Sequence, residues 1–301
     1  MLSRRRRGLY NAGMRLVSFG LRGAERSGIL LGNTIVDVGA ADPALDDTWR
    51  RLVGRGLLPR AQELASRPES LPERARIPAA SVRLGPPIVD PLKIVCLGLN
   101  YVDHAAEQAK PVPERPLLFS KAASALGGPR DDVTIPAGIT HVDYEAELAV
   151  VIGVRGREIA EEDALSHLLG YLILNDVTAR KIQKDEGQWF RGKSIDTFAP
   201  CGPALVTADE IPDPHLLDIS LALNGETRQR STTANLHFRI PFLISYLSRT
   251  MTLDPGDIIS TGTPGGVGVY SEPKVFLKEG DEIVTRIGGL GELRNRVRGG
   301  G

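Results

Sequence analysis

The run from Tyr144 to Ile152, Tyr-Glu-Ala-Glu-Leu-Ala-Val-Val-Ile, constrains this chain more than any other stretch. It is apolar, rich in β-branched residues and ends at Gly153, the pattern of a strand. Side chains alternate across a strand, so Glu145 and Glu147 share a face, about 6–7 Å apart along it. Leu148, Val150, Val151 and Ile152 predict burial. Two carboxylates on one buried face repel unless something neutralises them, and a hard divalent cation with oxygen ligands does so. Alone, such a pair also reads as a solvated edge. A second apolar run, Gly170 to Thr178, carries Asp176 near its end and adds a third acid. No Cys lies nearby and His141 is the only close His, which favours Mg²⁺ or Mn²⁺ over Zn²⁺.

The remaining organisation is β-rich. Arg15 to Phe19 alternates like a strand. Gly28–Leu31 and Thr34–Val38 flank Gly32-Asn33, a hairpin signal, and Asn224-Gly225 is another. Residues 44–67 carry a helix-like pattern, and helices are predicted at 161–169 and 240–250. Six prolines between Pro68 and Pro91 predict an extended connector. The expected division is an unordered extension over 1–13, a small α+β domain over 14–67, the connector over 68–91 and a larger, mostly β domain over 92–301. The fold class is α+β with several sheets, not a doubly wound parallel one.

Composition excludes several classes. The 301 residues carry 37 basic and 37 acidic side chains, so no global field draws the chain to nucleic acid or to a membrane surface. No apolar run reaches 18 residues, which excludes a transmembrane helix. Cys96 and Cys201 have no metal-site spacing and read as reduced, buried thiols of a cytoplasmic protein. The basic cluster Arg4–Arg7 has no apolar region after it, so it is not a secretory signal. The glycine-rich segment Thr261 to Gly268 lacks the endings of a P-loop or dinucleotide fingerprint. There is no Gly-x-Ser-x-Gly elbow.

Five motifs occur in order: Gly98-Leu99-Asn100-Tyr101-Val102-Asp103-His104-Ala105-Ala106-Glu107, Asp143-Tyr144-Glu145-Ala146-Glu147-Leu148, Asn175-Asp176-Val177-Thr178-Ala179-Arg180, Gly192 to Phe198, and Pro255 to Pro264. With them the chain resembles the fumarylacetoacetate hydrolase family over about residues 90–297. Gln188-Trp189, Asp196-Thr197-Phe198 and Phe276 to Asp281 are most similar to the branch holding the vertebrate domain-containing-protein-2 group and bacterial diketo-acid hydrolases. The resemblance implies a layered, rolled mixed β-structure, usually a homodimer, with Mg²⁺ or Mn²⁺ on Glu145, Glu147 and Asp176. It also implies small 2-oxo or diketo acids as substrates.

The same resemblance gives roles to other residues. His104 and Glu107, three apart, share a helix face, so the carboxylate can orient the imidazole. By themselves they read as a surface pair; the resemblance makes them a water-activating dyad on a lid, which the proline-rich 108–115 segment suits. Lys193 reads as a solvated lysine or, by resemblance, as a charge stabiliser. Arg180 and Gln183 are expected to bind substrate, though Arg180 also suits a structural partner of a buried acid. Thr263 is either part of an ordinary turn or a substrate contact. One metal-bound enolate leads to hydrolysis of a 1,3-diketo acid, to decarboxylation of a 2-oxo acid, or to isomerisation. The His104–Glu107 dyad favours hydrolysis, because decarboxylation needs no activated water.

Overall fold

A computed structural model describes residues 13–300. The Arg4–Arg7 cluster and most of the expected 1–13 extension lie outside the described residues. The chain begins with β1 (Arg15–Phe19), β2 (Arg26–Leu31) and β3 (Thr34–Asp37), successive antiparallel neighbours that turn at Gly32-Asn33 as the sequence predicts. A short α1 (Val38–Ala41) leads to α2 (Trp49–Gly54) and α3 (Leu58–Ser66), which divide the helix-like 44–67 stretch. Trp49 is buried there and donates its ring N–H to the Val17 carbonyl at 2.8 Å. β4 (Arg76–Pro78) lies inside the proline-rich stretch and pairs with β3.

From residue 94 the chain forms β5 (Ile94–Gly98), α4 (Val102–Glu107), β6 (Leu117–Ser120), β7 (Leu126–Gly127), β8 (Val133–Ile135), β9 (Val142–Asp143) and β10 (Ala146–Ile152). After these come β11 (Leu168–Asn175), β12 (Thr178–Ala179), α5 (Arg180–Glu186), α6 (Trp189–Lys193) and β13 (Ala199–Thr207). The last stretch holds β14 (Asp218–Leu223), β15 (Glu226–Thr232), α7 (Ile240–Ser248), β16 (Ile258–Ser260), β17 (Glu282–Ile287) and β18 (Gly291–Gly299).

An 11-stranded sheet runs β4-β3-β2-β1-β13-β11-β10-β16-β5-β6, with β7 beside β13; a 5-stranded sheet runs β15-β14-β17-β18-β8. Most pairs are antiparallel, and β16–β5, β13–β7 and β18–β8 are parallel. This is the mixed, β-rich α+β architecture expected, with helices in the minority. β1 pairs with β13, so the first strands extend the same sheet that carries β10 and β11. The central strands are buried on both faces: every residue of β10 and β11 is inaccessible. Leu148, Val150 and Ile152 join one apolar cluster and Ala149 and Val151 another, which is why the run is apolar without alternation. No helix among the described residues is long and apolar enough to cross a membrane.

Two expectations shift. The helix predicted over 161–169 is a 3₁₀ helix, Glu161–His167, and Leu168 and Leu169 enter β11 instead. Pairing with β10 and β13 claims those leucines, and a short polar turn is what 3₁₀ geometry suits. Glu145 stands one residue ahead of β10, its N–H donated to the Asn175 side-chain oxygen at 2.9 Å and not to a strand ladder.

The β11–β13 contact generates a stability test. A Cβ on Gly170 would sit 2.0 Å from the Val206 carbonyl oxygen, which is backbone and cannot swing aside. Gly170→Ala is expected to cost about 1–3 kcal/mol or more, seen as a lower thermal midpoint. Gly54→Ala meets nothing nearer than Pro255 at 4.0 Å and should be neutral or slightly stabilising. Equal midpoints for the two variants would show that the central strands part easily.

Candidate functional site

Three acids meet where β10 begins and β11 ends. The antiparallel register sets Ala146 opposite Asn175 and Glu147 opposite Leu174, so the residues flanking those pairs converge. The Asp176 N–H donates to the Glu145 carbonyl at 2.9 Å. Glu145, Glu147 and Asp176 each bring a carboxylate oxygen within 4.8 Å of the others, and all three are buried. His141, the nearest histidine in sequence, packs instead on the Phe276 ring, with centroids 4.8 Å apart.

Cations reach the cluster from three other elements. Lys193, at the end of α6 and 1% exposed, donates to Glu145 Oε2 at 2.8 Å, Asp176 Oδ2 at 2.7 Å and Thr178 at 2.8 Å. Lys121, just past β6, donates to Asp176 Oδ1 at 2.5 Å and to the Val177 carbonyl at 3.2 Å. Arg180, opening α5, donates Nε to Asp143 Oδ2 at 2.9 Å. Its Nη2 lies 2.6 Å from Glu145 Oε1, an ion pair without the angle of a hydrogen bond. Lys193 is therefore not a solvated lysine, and Arg180 is the structural partner of buried acids.

These pairings set the charge states. Burial works to raise the Glu145 carboxyl, but Lys193 and Arg180 outweigh it and hold the group well below the usual carboxylate range. Burial works to lower the Lys193 ammonium, but Asp176 and Glu145 lift it above an ordinary lysine. Glu147 differs. Burial first, then the neighbouring Asp176 and Glu145, push its carboxyl well up. Its Oε2 accepts from the Ser260 hydroxyl and, at 3.1 Å, from the Gly262 N–H, and among the described residues no Lys or Arg pairs with it. Gly262 turns that N–H inward at φ +100°, and a Cβ there would lie 3.0 Å from Asn100 Cβ.

The donor set fits a hard divalent cation. Three carboxylates offer only oxygen, and each retains lone pairs beyond the hydrogen bonds it accepts. Glu147, the member without a basic partner, faces the adjoining cavity and is the carboxylate whose charge a cation would stabilise most.

That cavity, of about 300 Å³, is also lined by His104, Gln183, Trp189, Lys193, Thr263 and Tyr270. The imidazole hangs from α4 in one hydrogen-bonded chain. His104 Nδ1 meets Glu107 Oε2 at 3.1 Å, and Gln108 Nε2 meets His104 Nε2 at 2.9 Å. The Tyr270 hydroxyl donates to Gln108 Oε1 at 3.1 Å, and Gly266 N–H donates to Glu107 Oε1 at 2.9 Å. The acceptor carboxylate requires a proton on Nδ1. Nε2 then keeps its lone pair, Gln108 must present its NH₂ there, and the amide oxygen is left for Tyr270.

Seven of the nine predicted site residues line this cavity, and the other two, Glu107 and Asp176, stand behind it on His104 and Lys193. Gln183 accepts from Arg180 Nη1 at 3.2 Å, and Thr263 Oγ1 accepts from Gln229 at 2.8 Å. Sequence reasoning missed Lys121, Asp143, Gln108 and Tyr270. Gln108 had a signal, since it follows His104 by four residues on the same helical face. Lys121 and Tyr270 had none, because their partners lie 55 and 162 residues away.

Comparison with known proteins gives the family. The family profile described as fumarylacetoacetate (FAA) hydrolase C-terminal matches residues 93–298. A Xenopus laevis protein named oxaloacetate tautomerase fahd2, mitochondrial, is 44% identical over 292 residues, covering 94% of this chain and 90% of its own. A putative HpcE protein from Mycobacterium smegmatis superposes with a TM-score of 0.84 at 40% identity, over 95% of this chain and 99% of its own. Maleylpyruvate hydrolase from Sphingobium sp. SYK-6, solved with manganese(II) and pyruvate, superposes at 0.80 with 37% identity, over 96% of this chain and 100% of its own. The motif order, the buried acid cluster at the β10–β11 junction and a profile match spanning most of the chain together make it a member of the fumarylacetoacetate hydrolase family.

Proposed function

We propose that this chain is a metal-dependent tautomerase of small 2-oxo acids of the oxaloacetate kind. It would move one proton between carbon and the neighbouring oxygen. The observation that carries the reading is His104 itself, which lines the cavity beside the acid cluster with Nδ1 on Glu107 and with Nε2 on the Gln108 amide, a neutral partner that a substrate can displace. Glu145, Glu147 and Asp176 would hold Mg²⁺ or Mn²⁺, which when bound polarises the keto oxygen and the carboxylate of a 2-oxo acid.

The chain's own groups do the rest. In the enol-to-keto direction the enol O–H is lost and a C–H bond forms at the adjacent carbon, so atoms and electrons balance without a co-reactant. His104 Nε2 takes up and returns the proton, and Glu107 stabilises the imidazolium while it lasts. The Lys193 ammonium, fixed by Glu145 and Asp176, supplies positive charge where the substrate oxygen becomes anionic. Gln183 and Thr263 line the cavity and position the substrate. The Xenopus relative named for oxaloacetate tautomerase supports this reading over most of its length. A second reading, hydrolysis of a C–C bond in a diketo acid, is supported by the Sphingobium neighbour named maleylpyruvate hydrolase. There the same Nε2 would take a proton from water. The proposal extends to a homodimer, checked by light scattering, and to a cytoplasmic enzyme; the mitochondrial name of the Xenopus relative makes that organelle the competing location.

Three measurements test this. Ketonisation of enol-oxaloacetate, followed by loss of enol absorbance with Mn²⁺ present, should fall by about 10²–10⁴-fold in His104→Ala while Mn²⁺ affinity is kept; loss of Mn²⁺ binding would make the histidine a ligand. Glu147→Gln should abolish Mn²⁺ binding in a calorimetric titration yet leave the thermal midpoint in chelator unchanged or higher. The carboxamide still accepts from Ser260 and Gly262 and removes a carboxyl that its buried neighbours disfavour as an anion. Undiminished Mn²⁺ affinity would sink the assignment. In a paired assay the parent protein should ketonise enol-oxaloacetate faster than it cleaves acetylpyruvate or maleylpyruvate, and the reverse order would favour the hydrolase.

A further inference from the structure

We infer that Lys110 and Lys184 form a cationic subsite at the cavity mouth that selects 2-oxo acids bearing a second carboxylate. The inference rests on the reading of the site as one for 2-oxo acids. It starts from a count of charge. Four basic side chains line the cavity: Lys110, Arg180, Lys184 and Lys193. The inner two are committed. Arg180 serves Asp143, Glu145 and Gln183, and Lys193 serves Glu145, Asp176 and Thr178. An incoming carboxylate can add to their shells but cannot claim either outright, because each already neutralises buried acids.

The outer two are exposed and, among the described residues, make no side-chain hydrogen bond or ion pair. The acids near Lys184 on α5 are engaged elsewhere, Asp185 by Lys181 at 2.5 Å and Glu186 by Arg191. Glu107, near Lys110, is held by His104 and by the Gly266 N–H. The mouth therefore carries two ammonium groups that no acid among the described residues holds in an ion pair, Asp185 acting on Lys184 only through space.

Both lysines follow hydrogen-bonded helical backbone. α4 ends in a left-handed residue, Ala109 at φ 50°, with Lys110 N–H donating to the Ala105 carbonyl at 3.0 Å and Ala109 N–H to the Ala106 carbonyl at 3.0 Å. This is a Schellman-type stop, held by an alanine where glycine is usual, and it brings Lys110 to the cavity three residues after Glu107. On α5, Lys184 follows Arg180 by four residues and shares its face, one turn further out. A ligand entering between α4 and α5 meets two free ammonium groups before it reaches the inner charges. A monocarboxylic 2-oxo acid spends its only carboxylate inside. A dicarboxylic one has a second carboxylate left for the mouth.

The test compares oxaloacetate with its 4-methyl monoester, which keeps the 2-oxo acid end and loses only the distal charge. Binding is read by Trp189 fluorescence, a cavity-lining reporter, in full-length His104→Ala with Mn²⁺ present, where turnover is slow enough for binding to be read first. The diacid should bind more tightly than the ester at low salt. Lys110→Met and Lys184→Met should each weaken the diacid by about 2–5-fold, the range of exposed ion pairs. The double variant should bring the two ligands close to equal affinity, and high salt should do the same to the unsubstituted mouth. Ester and diacid falling together, or neither moving, would overturn the subsite. If the diacid preference and its loss are seen but the parent protein ketonises no enol-oxaloacetate, the subsite stands and the tautomerase reading falls. If turnover is seen without any effect of the lysines, the reverse holds.

Discussion

The bridge from Lys193 to both Glu145 and Asp176 ties the structure together. One ammonium, buried at the end of α6, joins the residue that precedes β10 to the residue that follows β11. A charge so far from water is costly unless it is paired and fully hydrogen-bonded, and Lys193 uses all three of its donors. Lys121 and Arg180 extend the same logic, so that Asp143, Glu145 and Asp176 each have a cation in contact. Removing Arg180 would leave the buried Asp143 with no cation among the described residues, at a cost of about 3–5 kcal/mol. Glu147 stands apart, satisfied by neutral donors alone and facing the cavity. The network is thus balanced everywhere except at the point where a cation would complete it.

The sheet is what makes such a cluster affordable. β10 and β11 lie at its centre, covered on both faces, and their paired backbones hold the acids without help from solvent. The acids sit at the strand ends, where the ladder stops and side chains can turn toward a cavity. The more adaptable parts come from loops and short helices: α4 with its histidine, the α5–α6 pair, and the glycine-bearing segment after β16. Rigid strands fix the charges, and loops supply the groups that meet substrate, the usual division of labour in an enzyme.

Membership of the family follows from the inner residues, whereas the reaction depends on what surrounds them. Tautomerisation and hydrolysis both draw on a polarised 2-oxo acid and one base. In the proposed reaction the Tyr270–Gln108–His104–Glu107 chain would leave Nε2 as the base, a detail that depends on hydrogen bonds reaching from the far side of the chain. The lysines at the mouth act later still, on the part of the substrate that does not react.

Much of this was legible in the sequence because it is local. The apolar run at 144–152 with two acids two residues apart, the Asn175-Asp176 close of a second strand, the hairpin turns and the His104–Glu107 spacing all follow from alternation and helical periodicity. They gave the β-rich class and every acid of the cluster. What the sequence could not decide is long-range pairing. Nothing near Lys121 marks it as the partner of Asp176, nothing near Tyr270 marks it as the support of Gln108, and Arg180 read first as a substrate clamp and only second as a structural ion pair. Leu168 and Leu169 left a predicted helix because strand pairing outweighed local preference. Period and spacing are properties of a segment and survive in one dimension. Neutralising a buried charge depends on which segments the fold brings within about 3 Å, and only the tertiary structure sets that distance.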